Sequence, residues 1–367
     1  MLCIDFSPIK SGGGAQLALN FLDHLKENNN FDGCFLLISE KFPFKSRVPS
    51  EFPVILAPSS PVKRVLFENC RLRKIFYAKG IDKVYTFFGP GLPCMQGIKQ
   101  VVGVAYPIIC NDESQYWQYL DKKVYFRKKI VNFFRKKRLK RSDYLVFETE
   151  VMRNRCVNIL PYNVEKTFVI PPTPTKYVTE SSRPFMQGGG LKLLVLSGLD
   201  YHKNIWRLIE VSILARKKSI KFNVVISSTK KQFLVKYNRL VTDKFLKIID
   251  DYFEFLGPIP SDEIQRAYDS VDVVINISDL ESFSNNYMEA WLARKPIIAS
   301  DRDFSRHICG GSAVYVEPHA PSSLLDAIEL FLNSEIDISK MKEEGVERIK
   351  RLPSLNQKVS MLEGVLR

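Results

Sequence analysis

Residues 271–300 read VDVVINISDLESFSNNYMEAWLARKPIIAS. The run from Val271 to Ile277 is almost uninterrupted in its apolar, β-branched character, as in a strand covered on both faces of a parallel sheet. A polar loop follows, then a helical pattern from Asn285 to Ala293, then a second apolar strand from Pro296 to Ser300. This is a βαβ unit, and open sheets built from such units bind ligands beyond the carboxyl ends of their strands. Glu281 lies there, in the loop, and Glu289 lies about one turn inside the helix with seven residues between the two. The amides of Asn285, Asn286, Tyr287 and Met288 open that helix and favour an anion. Two glutamates at this spacing are common by chance; their place at a strand end and a helix start gives them weight. A diphosphate on the amides, with sugar and ribose hydroxyls on the carboxylates, fits the pattern of a nucleotide-sugar site.

The same grammar extends on both sides. Strands are expected at Leu191–Ser197, Lys221–Ile226, Phe253–Leu256 and Ala313–Val316, with helices at about 205–217, 261–270 and 321–333. An earlier α/β half opens with Leu2 to Phe6, the loop Ser7 to Gly14 and a helix from about Ala15 to Lys26. It continues with strands at Cys34–Ser39, Lys83–Phe87, Gln100–Val104 and Tyr144–Glu148 and an extended segment at Thr167–Ile170. Between the halves, Pro171 to Gly190 carries four prolines and closes on Gly188-Gly189-Gly190. The expected fold is α/β, with two Rossmann-like doubly wound domains. Their limits are 1–172, a linker at 173–190, 191–342, and a C-terminal helix over 343–367 that packs back on the first domain.

A chain of 367 residues is long enough for two such cores. With 45% hydrophobic and 26% charged residues it is neither disordered nor a disulfide scaffold. The seven cysteines are scattered, odd in number and never spaced C-x-x-C, which reads as reduced core residues of a cytosolic protein. A secretory signal is not expected, since MLCIDFSPIKSGGG lacks a basic segment followed by a long apolar one, and no stretch is apolar enough for a membrane span.

The net charge of +14 is uneven: residues 1–190 hold 29 Lys and Arg against 16 Asp and Glu, net +13. Eleven basic residues and no acid fall between Lys122 and Arg141. Among them, Lys122, Lys123, Arg127, Lys128, Lys129, Arg135, Lys136, Lys137 and Arg138 are candidate contacts to an anionic membrane surface. Aromatics accompany them, with Tyr116, Trp117 and Tyr119 before the window and Tyr125, Phe126, Phe133 and Phe134 inside it. Nucleic acid is not an expected partner, because no recognition module accompanies the charge. Gly12, Gly13 and Gly14 follow a strand and open a helix, so their backbone can approach a phosphate or sugar closely, though they do not spell G-x-G-x-x-G. The four histidines, 24, 202, 307 and 319, show no ligand spacing, and no metal is expected.

Several of these motifs together resemble the retaining glycosyltransferases of the GT-B fold, specifically family 4. The resemblance rests on Glu281 and Glu289, on Lys295-Pro-Ile-Ile-Ala-Ser-Asp301, on Phe255-Leu-Gly257-Pro-Ile-Pro, on Ser197-Gly-Leu-Asp-Tyr-His-Lys203-Asn204 and on the N-terminal glycines. It implies a cleft between the two domains. It implies that Glu289 binds the donor ribose, that Glu281 meets the transferred sugar and that Lys203 neutralises the diphosphate. Gly198, His202 and Gly257 then stand near the donor, and Gly12 to Gly14 and Tyr106 near the acceptor. The family pattern has an Arg where this chain has Gly198 and a His near the place of Tyr106; His202 or Arg207 is a candidate substitute for the Arg. The resemblance implies a donor linked to UDP or GDP, no metal, and a hexose or N-acetylhexosamine moved to a lipid-linked glycan. The site of action so implied is the cytoplasmic face of the inner membrane, in O-antigen or other surface polysaccharide assembly. The alternatives are an epimerase or phosphorylase on the same fold, or a non-catalytic basic binding module. Oligomeric state is left open.

Overall fold

Thirteen strands are divided between two parallel sheets in the computed structural model, which describes residues 1–10, 12–27, 31, 33–93, 95–187 and 190–367. Ser11, Cys94, Gly188 and Gly189, named above within a loop, the cysteine set and the linker, lie outside the described residues. The chain forms two units, one of Met1–Glu113, Leu120–Thr173 and Pro353–Arg367, the other of Ser114–Tyr119 and Pro174–Leu352.

In the first unit the strands are β1 (Leu2–Asp5), β2 (Phe35–Ser39), β3 (Val54–Ala57), β4 (Lys83–Thr86), β5 (Lys99–Val104), β6 (Tyr144–Phe147) and β7 (Thr167–Val169). Their order is β3-β2-β1-β4-β5-β6-β7. The second unit holds β8 (Leu191–Val195), β9 (Phe222–Ile226), β10 (Phe253–Phe255), β11 (Val273–Asn276), β12 (Ile297–Ser300) and β13 (Ala313–Val316), in the order β10-β9-β8-β11-β12-β13. The strand order reverses direction between β1 and β4 and again between β8 and β11. Those are the switch points, where loops leave neighbouring strands toward opposite faces and open a crevice.

The apolar runs follow from burial on both faces. Val273 and Ile275 join Leu191, Leu193 and Val195 in one core, while Val274, between them, joins Leu194, Val225 and Ile297 in the other. β3 was not expected from the sequence. It is an edge strand between Pro53 and Pro58 whose Val54 and Leu56 are exposed, and a short segment framed by prolines carries little strand signal. Mid-strand Gly103 is required by close packing, because a Cβ there would lie 2.1 Å from the Phe87 carbonyl oxygen.

Three expectations need correction. Instead of one C-terminal helix there are two, Ile338–Lys350 and Leu355–Leu366, split at Pro353 and restarted by a Ser354–Gln357 capping box. The former stays in the second unit, where Gly345 lets it press on Trp291, and only the latter packs into the first, through Val359, Leu362 and Val365. The 173–190 segment is not a separate linker, since from Pro174 the chain belongs to the second unit: Val178 is buried, and the amide of Met186 donates to Asp272 Oδ1 at 2.8 Å. Finally, the cysteines are not all reduced core residues. Cys110 and Cys156 form a disulfide where the turn Pro107–Cys110 packs on helix Glu150–Ile159, and Cys70 is exposed.

Candidate functional site

β8 and β11 run side by side, with Leu193 opposite Val273, and their carboxyl ends launch the two loops that carry Lys203 and Glu281. The loops are stitched together before any side-chain chemistry. The Asp279 amide donates to the His202 carbonyl at 2.7 Å, and the side-chain amide of Asn204 donates to the Ile277 carbonyl at 3.1 Å. Asn204 is fully buried and adopts the left-handed conformation at φ 55°, one that Asn tolerates better than most residues. Asp279 anchors the second loop from the other side, accepting from His319 Nε2 at 2.8 Å and from Arg302 at 3.2 Å. Burial alone would raise the Asp279 carboxyl, but hydrogen bonds from His319 and Asn204 and the charge of Arg302 hold it below the ordinary range.

On this frame Lys203 Nζ reaches Glu281 Oε1 at 2.5 Å, and both side chains are mostly covered. Burial pushes the Glu281 carboxyl up, yet the Lys203 ammonium and its hydrogen bond outweigh it, so the carboxyl lies below its ordinary value and is ionised at neutral pH. Asn276 donates to the same oxygen at 3.5 Å. The result is a cation and an anion at a switch point, close to the start of helix Asn285–Leu292.

That helix is tied to β8 by Asn286, whose side-chain amide donates to the Leu196 carbonyl at 2.6 Å. Tyr287 and Met288 turn their side chains into the core, and the Tyr287 hydroxyl meets Ser305 Oγ at 3.0 Å. Glu289, on the same helix, is 1% exposed, and Tyr268 donates its hydroxyl to the Glu289 carboxylate at 2.7 Å. The two glutamates of the motif therefore differ: Glu281 stands with Lys203, and Glu289 is drawn inward to Tyr268. Gly198 faces open space, with no heavy atom within 4 Å of where a Cβ would be. Arg207, a candidate to replace the missing Arg, is occupied elsewhere, donating to the Tyr119 hydroxyl at 2.7 Å and lying 4.4 Å over the Trp206 ring. The His202 ring meets Tyr116 edge-on, at 5.7 Å between centroids. Gly257, in the loop after β10, has φ +76° and donates its amide to the Ser228 carbonyl at 3.1 Å.

At the first sheet's switch point the chemistry is different. Gly12, at φ +74°, accepts from the amides of Ala15 and Gln16 and starts helix Gly13–Glu27; Gly14 lies in that helix's first turn. Behind the loop lies a buried set that the sequence reading missed. Asp5 accepts from Ser7 and Thr86; Arg64 donates to the Ser7 carbonyl at 2.7 Å and pairs with Glu68 at 2.6 Å. Burial pushes the Asp5 carboxyl above its ordinary value despite Arg64. No spacing rule finds this set, because its members come from β1, β4 and a helical segment far apart in sequence.

The basic window forms helix Lys122–Leu139, and its charges sort into two groups. Lys129 and Lys136 pair with Asp112, Arg138 pairs with Glu68 at 2.8 Å, and Arg135 lies 4.5 Å over the Tyr106 ring. Lys122, Lys123, Arg127 and Lys137 are exposed, while Lys128 is half-buried. Tyr116 and Trp117 are buried and Tyr119 stacks on Tyr201 in the second unit, so these three do not extend the basic face. The chain's one D-x-D spelling, Asp301-Arg302-Asp303, has Asp301 paired with Arg306 at 2.5 Å. Among the described residues no three His, Cys, Asp or Glu side chains gather as a metal site, and no helix is long and apolar enough to cross a membrane.

Residues 190–334, which include Lys203, Glu281 and Glu289, match the family described as glycosyl transferases group 1. No curated protein matches the chain. Among solved structures it is similar to Anabaena HepE in complex with UDP-glucose, at 12% identity and a TM-score of 0.72, covering 99% of this chain and 98% of that one. It is similar to sucrose-phosphate synthase from Thermosynechococcus elongatus, at 13% identity and a TM-score of 0.72, over 99% and 97% of the two chains. It is also similar to the lipopolysaccharide outer core galactosyltransferase WaaB, at 13% identity and a TM-score of 0.67, over 99% and 98%. Residues 190–334 thus match the group 1 glycosyl transferases, and the chain as a whole has the GT-B fold of the solved structures it is similar to.

Proposed function

We propose that this protein is a glycosyltransferase that moves a hexose or N-acetylhexosamine, with retention of anomeric configuration, from a UDP- or GDP-linked sugar to a polyprenyl-diphosphate-linked glycan. The setting is surface polysaccharide or O-antigen assembly, at an anionic membrane surface on the cytoplasmic face of the inner membrane. The observation that carries the donor half is the Lys203–Glu281 pair at the β8–β11 switch point. A donor diphosphate brings more negative charge than one carboxylate and takes the ammonium from Glu281. Glu281, ionised, then accepts from the sugar hydroxyls, and Glu289, anchored by Tyr268, takes those of the ribose. As the bond from the anomeric carbon to the phosphate oxygen breaks, charge grows on the leaving diphosphate. Lys203 and the amides of helix Asn285–Leu292 stabilise it where it grows. The acceptor hydroxyl attacks on the same face, and its proton passes to the departing phosphate. With Lys203 supplying the cation, no metal is required. Tyr106 and the backbone of Gly12 to Gly14 line the acceptor's approach in the first unit. HepE, in complex with UDP-glucose, and WaaB, a galactosyltransferase of the lipopolysaccharide outer core, favour a uridine donor and a lipid-borne acceptor.

Thermal unfolding with UDP, GDP and ADP, each with and without Mg2+, tests the donor half on the wild type and on Lys203→Ala. One diphosphate is expected to raise the midpoint with or without Mg2+ and to lose its effect in the variant. No shift with any of the three sinks the donor site, and a shift seen only with Mg2+ sinks the metal-free mechanism. Equal transfer rates to polyprenyl-linked and free glycans sink the lipid-linked acceptor.

A further inference from the structure

Helix Lys122–Leu139 buries only Asn132 and Leu139 of its eighteen residues. Its large apolar side chains point outward: Phe126 is 62% exposed, Ile130 58%, Phe133 64% and Phe134 57%. Phe126, Ile130 and Phe133 recur at the spacing that places them on one stripe, and Phe134 lies beside Phe133 with ring centroids 5.5 Å apart. An exposed apolar face of this size on a folded domain marks an interaction surface. The exposed bases Lys122, Lys123, Arg127 and Lys137 flank it. The helix is also held in place, since Arg138 pairs with the buried Glu68 and Lys129 and Lys136 pair with Asp112.

We infer that this helix is an interfacial wedge, lying in the plane of an anionic bilayer with its phenylalanines and Ile130 among the acyl chains and its outward lysines and Arg127 on the lipid phosphates. The occupant must accept four large apolar groups and a row of cations at once. A second copy of the chain would set its own basic window of eleven charges against this one. Nucleic acid would meet the cations and leave the phenylalanines in water. The inference deepens the membrane half of the proposed function and is independent of the donor site, which lies in the other unit.

Flotation with vesicles of phosphatidylcholine, and of an equal mixture of phosphatidylcholine and phosphatidylglycerol, tests it. The wild type is expected to float only with the mixed vesicles. A charge variant (K122Q, K123Q, R127Q and K137Q) is expected to lose about 100-fold or more in partitioning. An apolar variant (F126S, I130S, F133S and F134S) changes only exposed side chains and is expected to bind at low salt and release at high salt, where the wild type stays bound. The indole emission of a Phe133→Trp variant is expected to shift to the blue on binding and to be quenched by brominated acyl chains. UDP-induced stabilisation, measured on the same variants, is expected to be unchanged, so a failed donor site shows itself separately. The wedge is overturned if the wild type ignores anionic vesicles, if the apolar variant retains salt-resistant binding, if brominated chains leave the introduced indole unquenched, or if the apolar face proves to hold a dimer that the apolar variant dissociates.

Discussion

The two switch points have the same topology and opposite electrostatics. Between β8 and β11, Lys203 and Glu281 meet on two loops, the carboxylate is held ionised, and each partner is free of the rigid sheet that launches it. Between β1 and β4, Asp5 sits on the strand itself, its carboxyl is pushed upward by burial, and Ser7, Thr86 and Arg64 surround it. The first arrangement can exchange one anion for another, as a diphosphate requires. The second is a structural clamp behind a loop. A crevice follows from strand order alone, and what it does follows from whether its charges sit on the loops or beneath them.

The largest effect expected from breaking this contrast is on catalysis. Lys203→Ala should lower sugar transfer by roughly 100- to 1,000-fold, because it removes charge stabilisation at the leaving group, and should also lower the unfolding midpoint in denaturant, because the mostly covered Glu281 loses its cation. Arg64→Ala should lower stability and leave transfer largely intact. It leaves the buried Asp5 without its cation and Glu68 with Arg138 alone, and should cost about 3 kcal/mol of stability in urea unfolding. A loss of transfer in Arg64→Ala comparable to that in Lys203→Ala would erase the distinction between an exchange site and a clamp.

Acid sharpens the same contrast through the sign of linkage. Glu281 has a folded carboxyl below its unfolded value, so its contribution is complete above a pH of about 4 and is lost as pH falls through the folded value. Asp5 has a folded carboxyl above its unfolded value, so it weakens the fold at neutral pH, and that penalty fades as pH falls through the raised folded value toward the unfolded one. Urea midpoints followed from neutral pH into acid should therefore decline less steeply in Glu281→Gln than in wild type, and more steeply in Asp5→Asn. Slopes displaced in the same direction by both substitutions would contradict the assignment.

The smallest effect is a gain. Gly198 opens onto free space at the end of β8, and Arg207 is committed to Tyr119 and Trp206. Gly198→Arg should tighten diphosphate binding roughly 3- to 10-fold by calorimetry, with stability within about 0.5 kcal/mol of wild type. Unchanged affinity would mean that the open space does not face the bound diphosphate.

Much of the fold was legible because parallel strands covered on both faces write themselves as apolar runs, as in Val271 to Ile277 and Leu191 to Ser197. β3 was not legible, since an edge strand of four residues between prolines lacks that run. The break near Pro353 was missed because the apolar periodicity resumes beyond it, in a helix that belongs to the other unit. In the site, the placement of Lys203 and Glu281 on loops after β8 and β11 could be read from strand ends. The Tyr268–Glu289 and Asp279–His319 contacts could not, because they join elements distant in sequence.

By itself the sequence determined two parallel α/β sheets, the loops at their carboxyl ends and the concentration of positive charge in one helix, all properties of local pattern and composition. Tertiary structure alone decided that Glu281 and not Glu289 stands beside Lys203, that Arg207 turns to Tyr119, and that the phenylalanines of the basic helix point outward. Spacing along a chain states which residues can share a face. Which way that face turns is decided by the elements packed against it.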